Sequence, residues 1–231
     1  MKNMNDFQKS VVDPVFPILK EGAPFILIPL IVGIAIIVIP RVFCIEYCRP
    51  VIILQIITGL VLIIFALFCT FFFRNPKIKI TNGENVVLSP CNGTVLEIEE
   101  TENEKIIRTF LSIFNVHLQR SPVSGIVKSV EHKDGKYFAA WNPNAHKLNE
   151  QNIITIESDA GTFIVRQIAG FLARRCVSRV KDGDLLKAGN MIGLIKFSSQ
   201  VDLHLPKNIE IKVKQGDKVR AGITIMGELK N

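Results

Sequence analysis

The chain has 231 residues, 48% of them hydrophobic and 21% charged, with a formal net charge of +7. A mean hydropathy of +0.31 is too high for an all-water-soluble chain, and the composition also excludes intrinsic disorder and a collagen-like repeat. Five cysteines in this length are too sparse for a small disulfide scaffold.

The apolar excess is local. Of the 50 residues from 24 to 73, 38 are hydrophobic, whereas the remainder, at about 40%, has ordinary soluble composition. Residues 1–23 form a polar, amphipathic lead-in. Two charge-free runs follow, Pro24–Pro40 of 17 residues and Pro50–Phe73 of 24, and they predict membrane-spanning helices. Only nine residues, RVFCIEYCR, separate them, so the prediction is a helical hairpin with both ends on one side. A cleaved signal peptide fits poorly, because the apolar stretch is too long and no small-residue cleavage site follows. Lys2, Lys9, Lys20, Arg74, Lys77 and Lys79 flank the hairpin, against Arg41 and Arg49 in its turn. That bias puts both termini and the main domain on the cytoplasmic face of the cell membrane. Pro29 and the short first run leave a re-entrant or interfacial hairpin open. Cys44, Cys48, Cys69, Cys91 and Cys176 read as apolar filler, with no further ligand cluster to make a metal site.

From residue 74 onward the pattern is mainly β. Short β-branched or alternating runs predict strands at Val86–Leu88, Thr94–Ile98, Ile106–Ile113, Ile126–Val130, Ile153–Glu157 and Thr162–Ile168. Gly, Asn, Asp and Pro punctuate them, which predicts a compact antiparallel β domain over 74–231, α+β when the hairpin is counted. Two internal echoes accompany this. SPCNGTV at 89–95 recurs as SPVSGIV at 121–127, and VKDGDLLKAGNMI at 180–192 recurs as VKQGDKVRAGITI at 213–225. Each echo keeps a turn glycine and a strand valine or isoleucine in register, as two related hairpins around one core require. The second echo resembles the turns of barrel-sandwich hybrid domains such as biotinyl and lipoyl carriers, but no carrier lysine motif lies between its copies.

What lies between them is LIKFSSQVDLHLP at 194–206. This segment resembles the short form of phosphatidylserine decarboxylase, a pyruvoyl-dependent, self-cleaving membrane enzyme. Gly193, Ile195, Phe197, Ser199, Val201, Asp202 and Pro206 match the family pattern G-x-I-x-F-G-S-x-V-D-x-x-x-P. FLSIFNVHLQRSPVSG at 110–125 resembles the block F-x-x-x-F-x-V-H-x-N-R-x-P-x-x-G. Asn149-Glu150 corresponds to Asn-Glu-Arg, and AGFLARR at 169–175 corresponds to A-G-x-x-A-R-R.

The resemblance implies an electron sink made from the chain itself, with no pyridoxal phosphate and no metal. Ser199 Oγ attacks the carbonyl of Ser198, elimination releases residues 1–198, and residue 199 becomes the pyruvoyl group. That group forms a Schiff base with the serine amine of phosphatidylserine, and loss of CO2 gives phosphatidylethanolamine. The cleaved β chain (1–198) and α chain (199–231) would stay together, with further oligomerisation open. His117 is the candidate proton donor, since an imidazole changes charge near neutral pH. His204 is a candidate site-lining residue, whereas His132 and His146 read as loop histidines. Arg174 and Arg175 could meet the lipid phosphate or form a solvated strand edge.

Two departures fall on self-processing. Ser198 stands where the family has glycine, and Asn92 stands where it has an aspartate that helps maturation. The alternative is therefore a processing-impaired homologue, or a membrane-tethered adaptor that binds lipid without catalysis. The positive charge suits an anionic lipid surface. Scattered basic residues without aromatic interleaving argue against nucleic acid.

Overall fold

The computed structural model describes residues 17–43, 48–83, 85–138, 145–170, 175–196 and 199–230. The chain divides into two compact units, Pro14–Pro76 and one built on Lys77–Asn231.

In the first unit, helix α1 spans Ala23–Val42 and helix α2 spans Arg49–Phe72. At 1.5 Å per residue each reaches about 30 Å or more, the thickness of a bilayer's hydrocarbon core. Both are long and apolar enough to cross a membrane, and large apolar side chains such as Ile28, Ile31, Leu54 and Ile64 are exposed along them. The first helix is longer than the 17-residue run, because Pro29 and Pro40 lie within it. Each proline removes one backbone donor without ending the helix. Gly33 and Gly59 set the contact between the helices. A Cβ on Gly33 would stand 2.8 Å from the carbonyl oxygen of Gly59, and the reverse holds equally. The hairpin closes at its base, where Leu19 N–H donates to Phe73 O at 2.9 Å and Asn75 N–H to Pro17 O at 2.6 Å. Both of its ends therefore emerge together, as the short turn predicted. Cys44 lies outside the described residues.

The second unit is built from fourteen strands among the described residues. In chain order they are β1 Val86–Leu88, β2 Gly93–Glu100, β3 Glu104–Leu111, β4 Leu118–Arg120 and β5 Gly125–Lys133. After a single helical turn, α3 at Ala145–Leu148, come β6 Gln151–Ser158, β7 Gly161–Ala169, β8 Cys176–Ser178, β9 Leu185–Leu186 and β10 Met191–Ile195. The last four are β11 Ser199–Pro206, β12 Ile209–Ile211, β13 Lys218–Val219 and β14 Ile225–Leu229. All six strands expected from alternation are present.

An eight-stranded sheet runs β13-β2-β3-β11-β7-β6-β5-β9, and two three-stranded sheets run β1-β14-β12 and β4-β10-β8. The strand ladders are antiparallel. Val201, Leu203 and Leu205 of β11 lie in one core cluster with Ile107, Ile154, Phe163, Ile192, Ile195 and Met226. The intervening Gln200, Asp202 and His204 are nonetheless buried as well.

The echoes are a structural duplication. In the first pair, Ser89 Oγ donates to Cys91 O at 2.8 Å and Ser121 Oγ to Val123 O at 2.6 Å. In the second pair, Lys181 N–H donates to Asp184 Oδ2 at 3.0 Å and Lys214 N–H to Asp217 Oδ2 at 2.9 Å. Their turn glycines, Gly183 and Gly216, have φ of +85° and +90°, which an L side chain adopts only with strain. The copies also pair alike: Gly216 N–H donates to Val95 O and Gly183 N–H to Val127 O, at 2.9 and 2.8 Å. One half of the duplication therefore ends the long sheet at β13 and β2, and the other ends it at β5 and β9.

Candidate active site

The backbone of Ser199 heads β11, between the last residues of two neighbouring strands. It is in register with Leu111 of β3 on one side and Ala169 of β7 on the other. Both partners are fully buried. Ser198 lies outside the described residues, as does Arg174.

Two backbone segments bond the chain shortly before Ser199. Ile195 N–H, at the end of β10, donates to His117 O at 3.1 Å, and Lys196 N–H donates to Arg175 O at 3.2 Å. The structure thus brings His117 and Arg175 to the strand that leads into the serine. His117 is buried, and its Nδ1 lies 3.0 Å from Asn115 O. A carbonyl oxygen only accepts, so Nδ1 carries a proton. The preceding loop is a tight turn, in which the backbone N–H and hydroxyl of Ser112 both donate to Asn115 Oδ1 at 2.9 Å. Arg175 is exposed, as either reading of it requires.

On the other side of β11, Asn149 and Glu150 clip the end of β7. Asn149 Nδ2 donates to Ala169 O at 2.7 Å, and Ala169 N–H donates to Glu150 O at 2.9 Å. The Glu150 carboxylate accepts from Tyr137 Oη at 2.8 Å and from Cys176 N–H at 3.3 Å. The β7 partner of Ser199 is therefore held by the Asn149 side chain and the Glu150 backbone carbonyl, two residues that the sequence marks only as a motif.

Two further candidates stand along and across the sheet from the backbone of Ser199. His204 is five residues along β11 from Ser199, about 17 Å at the rise of a strand. Its Nδ1 lies 2.8 Å from Glu104 Oε2, and burial depresses its basicity despite that carboxylate. Asn92 precedes Gly93 on β2, two strands from β11, about 10 Å away at the usual spacing. The histidines read as loop residues include His132, which stands on β5 with Nδ1 2.7 Å from Asn152 Oδ1. Cys91 and Cys176 are buried, and burial pushes both thiols up, which suits packing and opposes reactivity.

The sequence profile described as phosphatidylserine decarboxylase matches residues 65–227. A phosphatidylserine decarboxylase proenzyme of Geotalea uraniireducens is 38% identical over 221 residues, covering 92% of this chain and 97% of that protein. The chain belongs to the phosphatidylserine decarboxylase family. Proteins of the same name from Carboxydothermus hydrogenoformans and Wolbachia pipientis are 41% and 38% identical over 180 and 175 residues. They cover 74% and 71% of this chain, and 84% and 76% of those relatives are covered in turn. The family's sequence blocks thus fall on β3 to β4, on the Asn149-Glu150 clip, on the end of β7 and on β10 to β11. These are the segments that meet around the backbone of Ser199.

Proposed function

We propose that this chain is a self-cleaving, pyruvoyl-dependent carboxy-lyase that converts phosphatidylserine into phosphatidylethanolamine at the cell membrane. The observation that carries this is the bond from Ile195 N–H to His117 O, which ties a buried imidazole to the strand running into Ser199.

Maturation starts with attack of Ser199 Oγ on the carbonyl carbon of Ser198. The peptide C–N bond breaks, the serine nitrogen takes up a proton, and an ester joins the two residues. Loss of the Ser199 α-proton and cleavage of its Cβ–O bond free residues 1–198 with an ordinary carboxylate. Hydrolysis then releases the nitrogen as ammonia. A pyruvoyl carbonyl at residue 199 supplies the electron sink that decarboxylation of an amino acid headgroup needs.

The remaining chemistry belongs to the side chains. His117 keeps one proton on Nδ1 against Asn115 O and delivers the other from Nε2 to the carbon that has lost CO2. Arg175, together with Arg174, offers guanidinium groups to the lipid phosphate. The two apolar helices hold the domain at a membrane where the substrate resides. The basic flanks of the hairpin favour the cytoplasmic face, and the positive net charge favours an anionic surface.

The α chain of 199–231 would remain attached to the β chain of 1–198. Its strand β11 lies between β3 and β7, β13 pairs with β2, and β14 pairs with β1. Intact mass of the purified protein is the deciding measurement. Two chains of 198 and 33 residues, the smaller with a blocked amino terminus, together with CO2 release from phosphatidylserine vesicles, are expected. A single intact chain without turnover would leave the processing-impaired, lipid-binding alternative that Ser198 and Asn92 raise.

A further inference from the structure

His117 and Ser199 stand on different sheets. His117 precedes β4 in a three-stranded sheet, while Ser199 heads β11 in the eight-stranded one. Relative placement of donor and serine therefore depends on what joins the two sheets beside them. Backbone ladders run within each sheet, and besides the bond from Ile195 N–H to His117 O the two sheets are joined here by side chains.

A chain of buried amides makes that link. Gln119 on β4 and Gln167 on β7 are both completely buried. Gln167 Nε2 donates to Gln119 Oε1 at 2.8 Å, and Gln119 Nε2 donates to His117 O at 2.8 Å. Asn152 Nδ2, on β6, donates to Gln167 Oε1 at 3.1 Å, which fixes the orientation of that amide. The His117 carbonyl is thus held twice, by Gln119 and by Ile195. Gln167 is directly opposite Val201 of β11 and two residues before Ala169, the register partner of Ser199.

The backbone makes room for this bridge. A Cβ on Gly193 of β10 would stand 2.6 Å from Gln167 Nε2 and would also collide with Val177 O. Gly193 is the cross-strand partner of Gln119, so the amide passes over a strand that lacks a side chain at that point. Three buried amides carry a desolvation cost that apolar residues of similar size would avoid. Their expense is accounted for by a requirement on geometry. We propose that Gln167 and Gln119 are positioning residues, which set His117 in register with Ser199 across the two sheets. This inference rests on the proposed decarboxylase reading.

The test compares Gln119→Leu, Gln167→Leu and the double variant in the full-length protein. Each single change is expected to lower kcat on phosphatidylserine vesicles by about ten- to a hundred-fold, as misplacement of a catalytic group does, with KM little changed. The double variant is expected to be no slower than the worse single one, because either change alone breaks the bridge. Gln167→Glu supplies a readout that simple destabilisation does not give. A protonated carboxyl can donate to Gln119 Oε1 and a carboxylate cannot, so activity should return at acidic pH relative to wild type. Leu186→Ala, in buried edge strand β9, controls for loss of stability. Multiplying losses in the double variant, unchanged kcat, or an equal kcat loss in Leu186→Ala would overturn the inference. A wild-type chain that releases no CO2 would defeat the decarboxylase reading instead. Ring 15N titration of the four histidines in the full chain still reads the bridge in that event. Gln167→Leu is expected to move the His117 resonances and leave those of His204, and an unmoved His117 overturns the inference.

Discussion

Asp202 and Arg108 face each other across β11 and β3, with Oδ2 3.8 Å from Nε. Arg166 of β7 is the partner on the opposite side. The Arg108 fork is already engaged by Glu97 at 2.8 Å and Glu99 at 2.6 Å. Burial of Asp202 wins over its favourable contacts, a 2.6 Å bond from Gln200 Nε2 and the two arginines, and its pKa is pushed up to about 6. An unfolded aspartate titrates near 4, so the folded state holds the extra proton between those values. Stability from this group is full below about pH 4 and is lost as pH rises through about 6, a change on the order of 3 kcal/mol. Asp202→Asn should flatten that part of the profile. Thermal melting between pH 4 and 7.5 checks it, and an unchanged slope in the variant would remove Asp202 as its source.

Glycine separates steric from conformational demand in the duplicated turns. Gly93 packs where a Cβ would collide with Phe110 O and approach Thr109 Cγ2 to 2.8 Å. Since β3 also pairs with β11, Gly93→Ala should disturb the row containing Ser199. A loss of about 2–3 kcal/mol, the usual cost of overpacking, and slowed self-cleavage are expected. At Gly183 nothing lies within 4 Å of an added Cβ, yet φ is +85°. Gly183→Ala should therefore cost only about 1 kcal/mol and leave cleavage unaffected. Equal losses in the two variants would contradict this division.

Local chemistry made the frame readable. Alternation located the six expected strands, and charge-free runs located both helices, because burial on one face or in lipid imposes a period or a length. His204 shows where such reading stops. Its closeness in sequence to Ser199 suggested a shared site, but five residues of extended strand separate the two backbones by about 17 Å. Gln119, Gln167 and Asn152 were silent for another reason. A buried amide looks like a surface amide in sequence, and its partners lie 15 to 48 residues off. The motif block did place Gln119 where the family pattern has asparagine, which was the one available hint.

His117→Ala addresses the donor directly. Self-cleavage begins with Ser199 attacking a neighbouring carbonyl, so the variant should still appear as two chains by mass. Protonation after CO2 loss would lack its general acid, and turnover should fall by about 10² to 10⁴-fold. Unchanged turnover takes His117 out of the donor role. An uncleaved chain would move its action to maturation.

Ser198 and Asn92 bear on how quickly the proenzyme matures. An acyl shift needs unusual backbone geometry at the residue before the reactive serine, which glycine reaches more readily than serine does. Asn92 cannot act as a base at neutral pH, and it precedes a strand two positions from β11. Ser198→Gly should therefore preserve or speed cleavage, and Asn92→Asp should speed it if a carboxylate at that place assists. Ser199→Ala should give only the intact chain. A time course of intact mass after synthesis follows all three variants. Cleavage that persists in Ser199→Ala but stops in Ser198→Gly would show that Ser198 is the reactive serine and shift the scissile bond by one residue.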